Sequence, residues 1–264
     1  MRATILISSY CRPDYLRWGL TSLLKHKDSW PCSCNVLVLN DGIQDTTEEV
    51  AKSFDVDYLF TGQRNKNNLV WRCPGFAFNI GIQQSQSEII VLSCAEMYHM
   101  NDTLSLVLPP VLKNNQKLGT PKVYDDHGPL LQFLSQESDL TLKESLQSVK
   151  EAIKIRCLRS DPFIANAYMP YFLAVSRQRL LDIGGYDEDF IGKGADDNDL
   201  MDRLLLSGCE YVHTDGEVVH VNHGYPIVED VKKDPRYIHN VNLWKKRAGV
   251  IQRNVGRSWG LLEK

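Results

Sequence analysis

No apolar run in this chain approaches the ~20 residues that cross a bilayer, so none of its 264 residues reads as a membrane-spanning helix. Glycine-rich phosphate loops are missing too. Neither Gly-x-Gly-x-x-Gly nor a Walker sequence occurs, which disfavours dehydrogenases and kinases. The seven cysteines lack zinc spacing: only Cys32 and Cys34 lie close, with a single residue between them. An odd, scattered set of thiols is expected to stay reduced in a cytoplasmic protein. Met1-Arg2-Ala3 runs straight into Thr4-Ile5-Leu6-Ile7, so no signal peptide is visible. Internal repeats and low-complexity tracts are absent as well.

What is present is the composition of a globular protein, 43% hydrophobic and 24% charged, long enough for a substantial core. The net charge of −3 points to no bulk polyanion as partner. Its distribution is uneven, however. From Val231 to Leu262 stand Lys232, Lys233, Arg236, Lys245, Lys246, Arg247, Arg253 and Arg257 against the single acid Asp234. Such a patch is a solvated face or a docking surface for phosphate or membrane.

Short apolar runs alternate with helical spacing. Ala3–Ser8, Asn35–Leu39, Tyr58–Phe60 and Glu88–Leu92 read as buried strands. Between them, Tyr15–Lys25, Thr46–Phe54 and Pro74–Ser85 read as helices. This order predicts an α/β fold with right-handed crossovers and a mostly parallel sheet flanked by helices. Ligands in such sheets sit beyond the carboxyl ends of the strands, which here carry Ser9-Tyr10, Asn40-Asp41-Gly42 and Ser93–Glu96. The second half is less regular. Leu140–Leu158 reads as an amphipathic helix, Tyr171–Val175 as a strand, Asp196–Leu206 as a helix and Tyr211–Val221 as a strand pair. We expect one two-part domain: a nucleotide-binding half over 1–110, an acceptor-binding half over 111–225, and a basic tail over 226–264 packed on it.

The densest chemical signal is Gly192-Lys193-Gly194-Ala195-Asp196-Asp197-Asn198-Asp199-Leu200. A helix start tolerates acids because its free N–H groups and dipole favour negative charge. One capping Asp suffices for that; three within four positions repel one another and raise pKa values. They point to a general base, a cation site or a site for sugar hydroxyls, against the plainer reading of a solvated acidic cap.

Five segments in this order resemble the GT-A fold glycosyltransferases of the family 2 type, over roughly Ala3 to Tyr225. Thr4–Pro13 is similar to that family's first strand and its Asn-Arg-Pro turn. Val36–Gly42 with Asp45 is similar to its Asp-Asp-Gly segment. Asn79-Ile80-Gly81 and Glu88–Leu92 match the Arg-Asn-x-Gly helix and the strand before the metal motif. Gly184-Gly185-Tyr186-Asp187-Glu188 and Asp196–Leu200 resemble its Gly-Gly-Phe-Asp-Glu and Glu-Asp-x-Asp-Leu elements.

The resemblance implies roles. Asp41 would bind the uracil or ribose of a nucleotide-sugar, helped by Ser8, Ser9 and Tyr10, though Asn40-Asp41-Gly42 also suits a plain turn. Asn79 would belong to the same nucleotide site. Arg72 is a candidate for the donor phosphates or a surface arginine. The family's Asp-x-Asp is replaced by Ser93-Cys94-Ala95-Glu96, where Glu96 supplies the hard oxygen for Mn²⁺ or Mg²⁺. His99 either supports Glu96 or is a structural histidine. A late histidine, His220 or His223, would complete the metal shell. On a continuous strand the two face opposite sides, so at most one is a ligand unless the strand ends between them. Asp197 aligns with the catalytic base, Asp196 would hold hydroxyls, and Asp199 would cap the helix or pair with Arg203.

The activity implied is metal-assisted, inverting transfer from a nucleotide-sugar, a UDP-sugar, to a glycan or glycolipid-linked acceptor. Two alternatives stay open. One is transfer to hydroxymethylated bases of DNA, with Trp244 and Trp259 in the basic tail as stacking groups. The other is a non-catalytic protein of the same fold that binds a nucleotide-sugar or glycan.

Overall fold

The computed structural model describes residues 1–62, 73–126, 128–136, 156–157, 170–224 and 228–262. Its centre is a nine-stranded sheet with the order β3-β2-β1-β4-β8-β6-β9-β5, with β7 paired to β6. The strands are β1 (Arg2–Ser9), β2 (Ser33–Asn40), β3 (Asp57–Phe60), β4 (Ile89–Cys94), β5 (Met97–His99), β6 (Lys117–Asp125), β7 (Arg156–Cys157), β8 (Phe172–Ser176) and β9 (Glu210–His220). The α-helices are α1 (Pro13–Leu24), α2 (Thr47–Ser53), α3 (Gly75–Gln84), α4 (Thr103–Lys113), α5 (Pro129–Gln136), α6 (Arg177–Asp182), α7 (Asp196–Leu206), α8 (Val228–Lys233) and α9 (Pro235–Lys246).

The strands β1 to β4 pair in parallel, with β1 between β2 and β4. A strand covered on both faces needs an apolar run rather than alternation, and Ala3–Ile7 is buried throughout. Fully burying each such aliphatic side chain contributes about 1.5–3 kcal/mol. Helix α3 is buried from Gly75 to Ile82 because it lies directly on this sheet. A Cβ on Gly81 would stand 2.8 Å from Leu6 Cδ1, so only glycine permits that approach.

Beyond β4 the pattern changes. The strand β8 pairs antiparallel to β4, and β6 joins β8 antiparallel before pairing in parallel with β9. The expected strand pair at 211–221 is one eleven-residue strand, β9, held between β6 and β5. Its register against β6 shifts between Thr120 and Lys122. The less regular middle of the chain contributes β6 and α5. The expected helix at 140–158 lies outside the described residues apart from 156–157, which form β7.

Two observations position the site. Because β1 leads outward to β2 and β3 while β4 returns on its other side, the sheet has a switch point between β1 and β4, where a crevice opens. The chain leaving each strand is pinned there: Asp41 N donates to Ser9 O and Ala95 N to Ser8 O, both at 2.9 Å. The tail forms a second layer in which α9 packs on α7. No described helix is long and apolar enough to cross a membrane.

Candidate active site

A cleft of about 370 Å³ opens at the switch point. Its lining includes Ser8, Ser9, Tyr10, Asp41, Glu96, Asp196, Asp197, His220 and His223, nine of the residues expected from sequence, contributed by five separate chain segments. Arg72 lies outside the described residues. Asn79 is placed elsewhere. It is fully buried in α3, donating to Tyr186 O at 2.9 Å and accepting from Tyr186 N at 2.8 Å. That makes it a brace for the Gly184–Glu188 turn rather than a wall of the cleft.

Asp41 sits just past β2, 3% exposed, with the Thr61 hydroxyl donating to its Oδ1. The adjacent Asn40 accepts from Gly42 N and donates to Ile43 O and to Tyr58 Oη, each at 3.1 Å. The turn is therefore held by Asn40, and the Asp41 carboxylate is left to line the cleft.

The acid cluster divides. Helix α7 starts from Ala195 in the left-handed region, φ 68°, after Gly194 at φ 88°. A non-glycine residue held there stores strain, a frequent feature of functional sites. Asp196 is buried, which pushes its carboxyl from 3.8 to about 6; hydrogen bonds from its own N–H and from the Cys73 thiol pull the other way. The large shift thus belongs to Asp196, with burial outweighing the like charge of Asp199. Asp197 faces the cleft, and the buried Tyr186 hydroxyl donates to its Oδ1 at 3.1 Å. Asp199 points the other way, held by Arg203 Nε at 2.7 Å, the expected partner, and by Arg253 at 2.6 Å.

Several groups were not anticipated. Asn240 of α9 is fully buried and donates to Ile191 O at 2.6 Å, Lys193 O at 3.1 Å and Gly194 O at 3.0 Å, while accepting from Ile191 N. It fixes the loop that delivers α7, and no local sequence pattern announces it. Lys193 and Arg12 line the cleft as cations, with Arg12 paired to Glu96. Burial, with Arg12 nearby, lowers the Lys193 pKa. Cys94, the last residue of β4, also lines the cleft, and Glu96 follows it in the next turn.

Cys94, Glu96 and His220 each place a ligand atom within 4.8 Å of the others. The strand β9 ends at His220, which is the condition that lets both imidazoles turn inward: His223 Nε2 lies 3.2 Å from His220 Nε2. His220 Nδ1 meets Asp125 Oδ1 at 3.3 Å. An ionised carboxylate only accepts, so this contact fixes the tautomer that leaves Nε2 with its lone pair, as in metal-bound histidines. Burial keeps both imidazoles neutral, with His223 pushed down to about 3. A carboxylate, an imidazole and a thiol converging at a cleft with open positions fit a divalent cation. His99 takes no part. It lies on β5 against Phe172, ring centroids 4.6 Å apart, buried and held at about 3.

The sequence model of the family described as "Glycosyltransferase like family 2" matches residues 16–228. The chain belongs to that family. No individual curated protein sequence matches it. Among solved structures the chain is similar to GalNAc-T7 with UDP, GalNAc and Mn²⁺, at 11% identity and TM-score 0.58, covering 92% of this chain and 48% of that one. It is also similar to the mannosyltransferase PcManGT from Pyrobaculum calidifontis with GDP-Man and Mn²⁺ (16%, 0.55, 94% and 64%). A third is glucosyl-3-phosphoglycerate synthase from Mycobacterium tuberculosis with Mn²⁺, UDP and glucosyl-3-phosphoglycerate (14%, 0.55, 94% and 80%). The chain thus spans about half the length of the first and under two thirds of the second. At these identities the likeness establishes the fold, GT-A, with its sheet and flanking helices.

Proposed function

We propose that this glycosyltransferase moves a sugar from a nucleotide-sugar, a UDP-sugar by preference, to a hydroxyl of a glycan or glycolipid-linked acceptor with inversion at the anomeric carbon. The observation that carries the reading is the shared cleft, with Asp41 at the β2 end and Asp197 at the opening of α7. Asp41 would accept from the base or ribose, with Ser8, Ser9 and Tyr10 beside it. Lys193 and Arg12 would take the diphosphate, where cations offset charge on the leaving group.

Asp197 is the base. Its carboxylate takes the acceptor proton while the acceptor oxygen bonds to the anomeric carbon and the bond to the diphosphate breaks on the other face. Tyr186 orients it through the hydroxyl that donates to its Oδ1. Asp196 would hold sugar hydroxyls. Glu96 and His220, with His223 beside them, would hold a divalent cation, which when bound would stabilise charge on the departing diphosphate. The first 110 residues would serve the nucleotide and residues 111–225 the acceptor, in a protein we place in the cytoplasm.

Transfer to DNA bases loses its support. Trp244 donates to Asp202 at 2.8 Å and packs near Cys73, Phe190 and Ala195, and Trp259 packs against Gly185. Arg247, Arg253 and Arg257 pair with Asp187, Asp189 and Asp199. Both tryptophans and three of the tail arginines thus hold the tail to the domain, while Lys232, Lys233, Lys245 and Lys246 are exposed. Anomeric configuration read by NMR from donor to product tests the mechanism: inversion is expected in wild type, with turnover at least about a hundredfold lower in Asp197→Asn. Retention, or turnover near the wild-type rate without the carboxylate, removes Asp197 as base.

A further inference from the structure

The cation site of this chain contains sulfur. Cys94 stands where the resemblance calls for the first carboxylate of Asp-x-Asp, and its ligand atom falls within 4.8 Å of those of Glu96 and His220. Each of the three comes from a different position around one point: the last residue of β4, the turn after it, and the last residue of β9. Metal–ligand bonds of about 2.0–2.3 Å put neighbouring ligands roughly 3–4 Å apart, so the three atoms are within small side-chain rotations of a shared ion. The fourth group is also at hand. His223 Nε2 stands 3.2 Å from His220 Nε2, a separation that suits two ligands of one cation.

Hard oxygen ligands suit Mg²⁺ and Mn²⁺, whereas a thiolate beside imidazole suits zinc and other borderline ions. We propose that Cys94 is a metal ligand and that the Cys94–Glu96–His220 set selects a zinc-class cation over Mg²⁺ and Mn²⁺. Loading is an exchange: the Cys94 thiol gives its proton to solvent as the sulfur–metal bond forms, and Arg12 gives up Glu96. The released guanidinium stays in the cleft, where the diphosphate is placed. Asp125 holds His220 from behind, the outer partner that ligating histidines keep. The inference rests on reading the cleft as a nucleotide-sugar site.

The test is cobalt substitution of the whole chain, with wild type, Cys94→Ser and Cys94→Asp compared after chelator treatment. Wild type is expected to show a sulfur-to-cobalt charge-transfer band in the near ultraviolet, displaced by Zn²⁺ and not by Mg²⁺. Cys94→Ser should lose the band while keeping its unfolding midpoint. Cys94→Asp, which restores a hard ligand, should narrow the preference for Zn²⁺ over Mn²⁺ at least about tenfold. Cobalt binding without the band, a band that survives in Cys94→Ser, or an unchanged preference in Cys94→Asp each overturns the proposal. Nucleoside diphosphate binding measured on the same samples separates the two failures. Mn²⁺-dependent binding without the band leaves the transferase reading intact and rejects only Cys94, whereas no nucleotide binding with any metal rejects the site itself.

Discussion

The two faces of helix α7 put the same residue type to opposite uses. On the front, Asp196 and Asp197 line the cleft among Lys193, Arg12 and the histidines. On the back, two residues further along, Asp199 is 1% exposed and locked between Arg203 and Arg253. On the front, burial raises the Asp196 pKa to about 6; on the back, Asp199 is committed to two ion pairs. A string of acids in sequence is therefore two structures: a chemical group and the anchor that aims it. The anchor reaches into the tail. Arg253 also bonds Asp187, and Asn254 donates to Gly184 O and Tyr186 O, so the tail holds the turn that carries Tyr186 against Asp197.

The sharpest way to break this contrast is to substitute both faces. Asp197→Asn is expected to lower transfer by roughly 10²–10⁴-fold with the unfolding midpoint and nucleotide affinity nearly unchanged. Asp199→Ala should do the reverse. Leaving two guanidiniums buried beside a lost carboxylate costs about 3–5 kcal/mol, read by denaturant unfolding. Equal destabilisation by the two variants would erase the distinction between front and back.

Titration sharpens it. Asp196, raised to about 6, keeps a proton in the folded state that the unfolded chain gives up, so its contribution is lost as pH rises through about 6. His99, lowered to about 3, refuses a proton that the unfolded chain accepts below 6.5, so its contribution is lost as pH falls. The slopes oppose each other between about 4 and 6. Asp196→Asn removes the first alone, and stability should then fall more steeply on acidification in a series of unfolding curves from pH 4 to 7. An unchanged slope would mean Asp196 is not the shifted group. The smallest effect is expected at Trp244→Phe, which removes the indole N–H to Asp202 on the back of α7 and costs about 1 kcal/mol, with donor binding untouched.

Legibility followed the same divide. The parallel strands were readable because burial on both faces demands continuous apolar runs, and α7 because an acid-rich start precedes an apolar stripe. Asp41, Glu96 and the two late histidines were readable through the ordered motifs. Helix α4, for which the sequence reading gave no element, forms despite the breakers Pro109 and Pro110, with Asp102 accepting from Ser105 N at its start and Leu104, Val107, Leu108 and Val111 buried. Asn79 misled because its motif was sound while its side chain serves the fold. Asn240 and the tail arginines gave no signal, since their partners lie about 45 to 70 residues away in sequence. Cys94 was visible but was set aside in favour of the carboxylate beside it.

The most direct test is the thermal shift caused by UDP, GDP, CDP and dTDP with each divalent cation or chelator, in wild type, Asp197→Asn and Glu96→Ala. Ligands that bind only the folded state raise its apparent stability by mass action. A cation-dependent shift with one diphosphate, kept in Asp197→Asn and lost in Glu96→Ala, is the expected result. No shift with any nucleotide, or the same shift in all three proteins, would contradict the placing of donor, cation and base in this cleft.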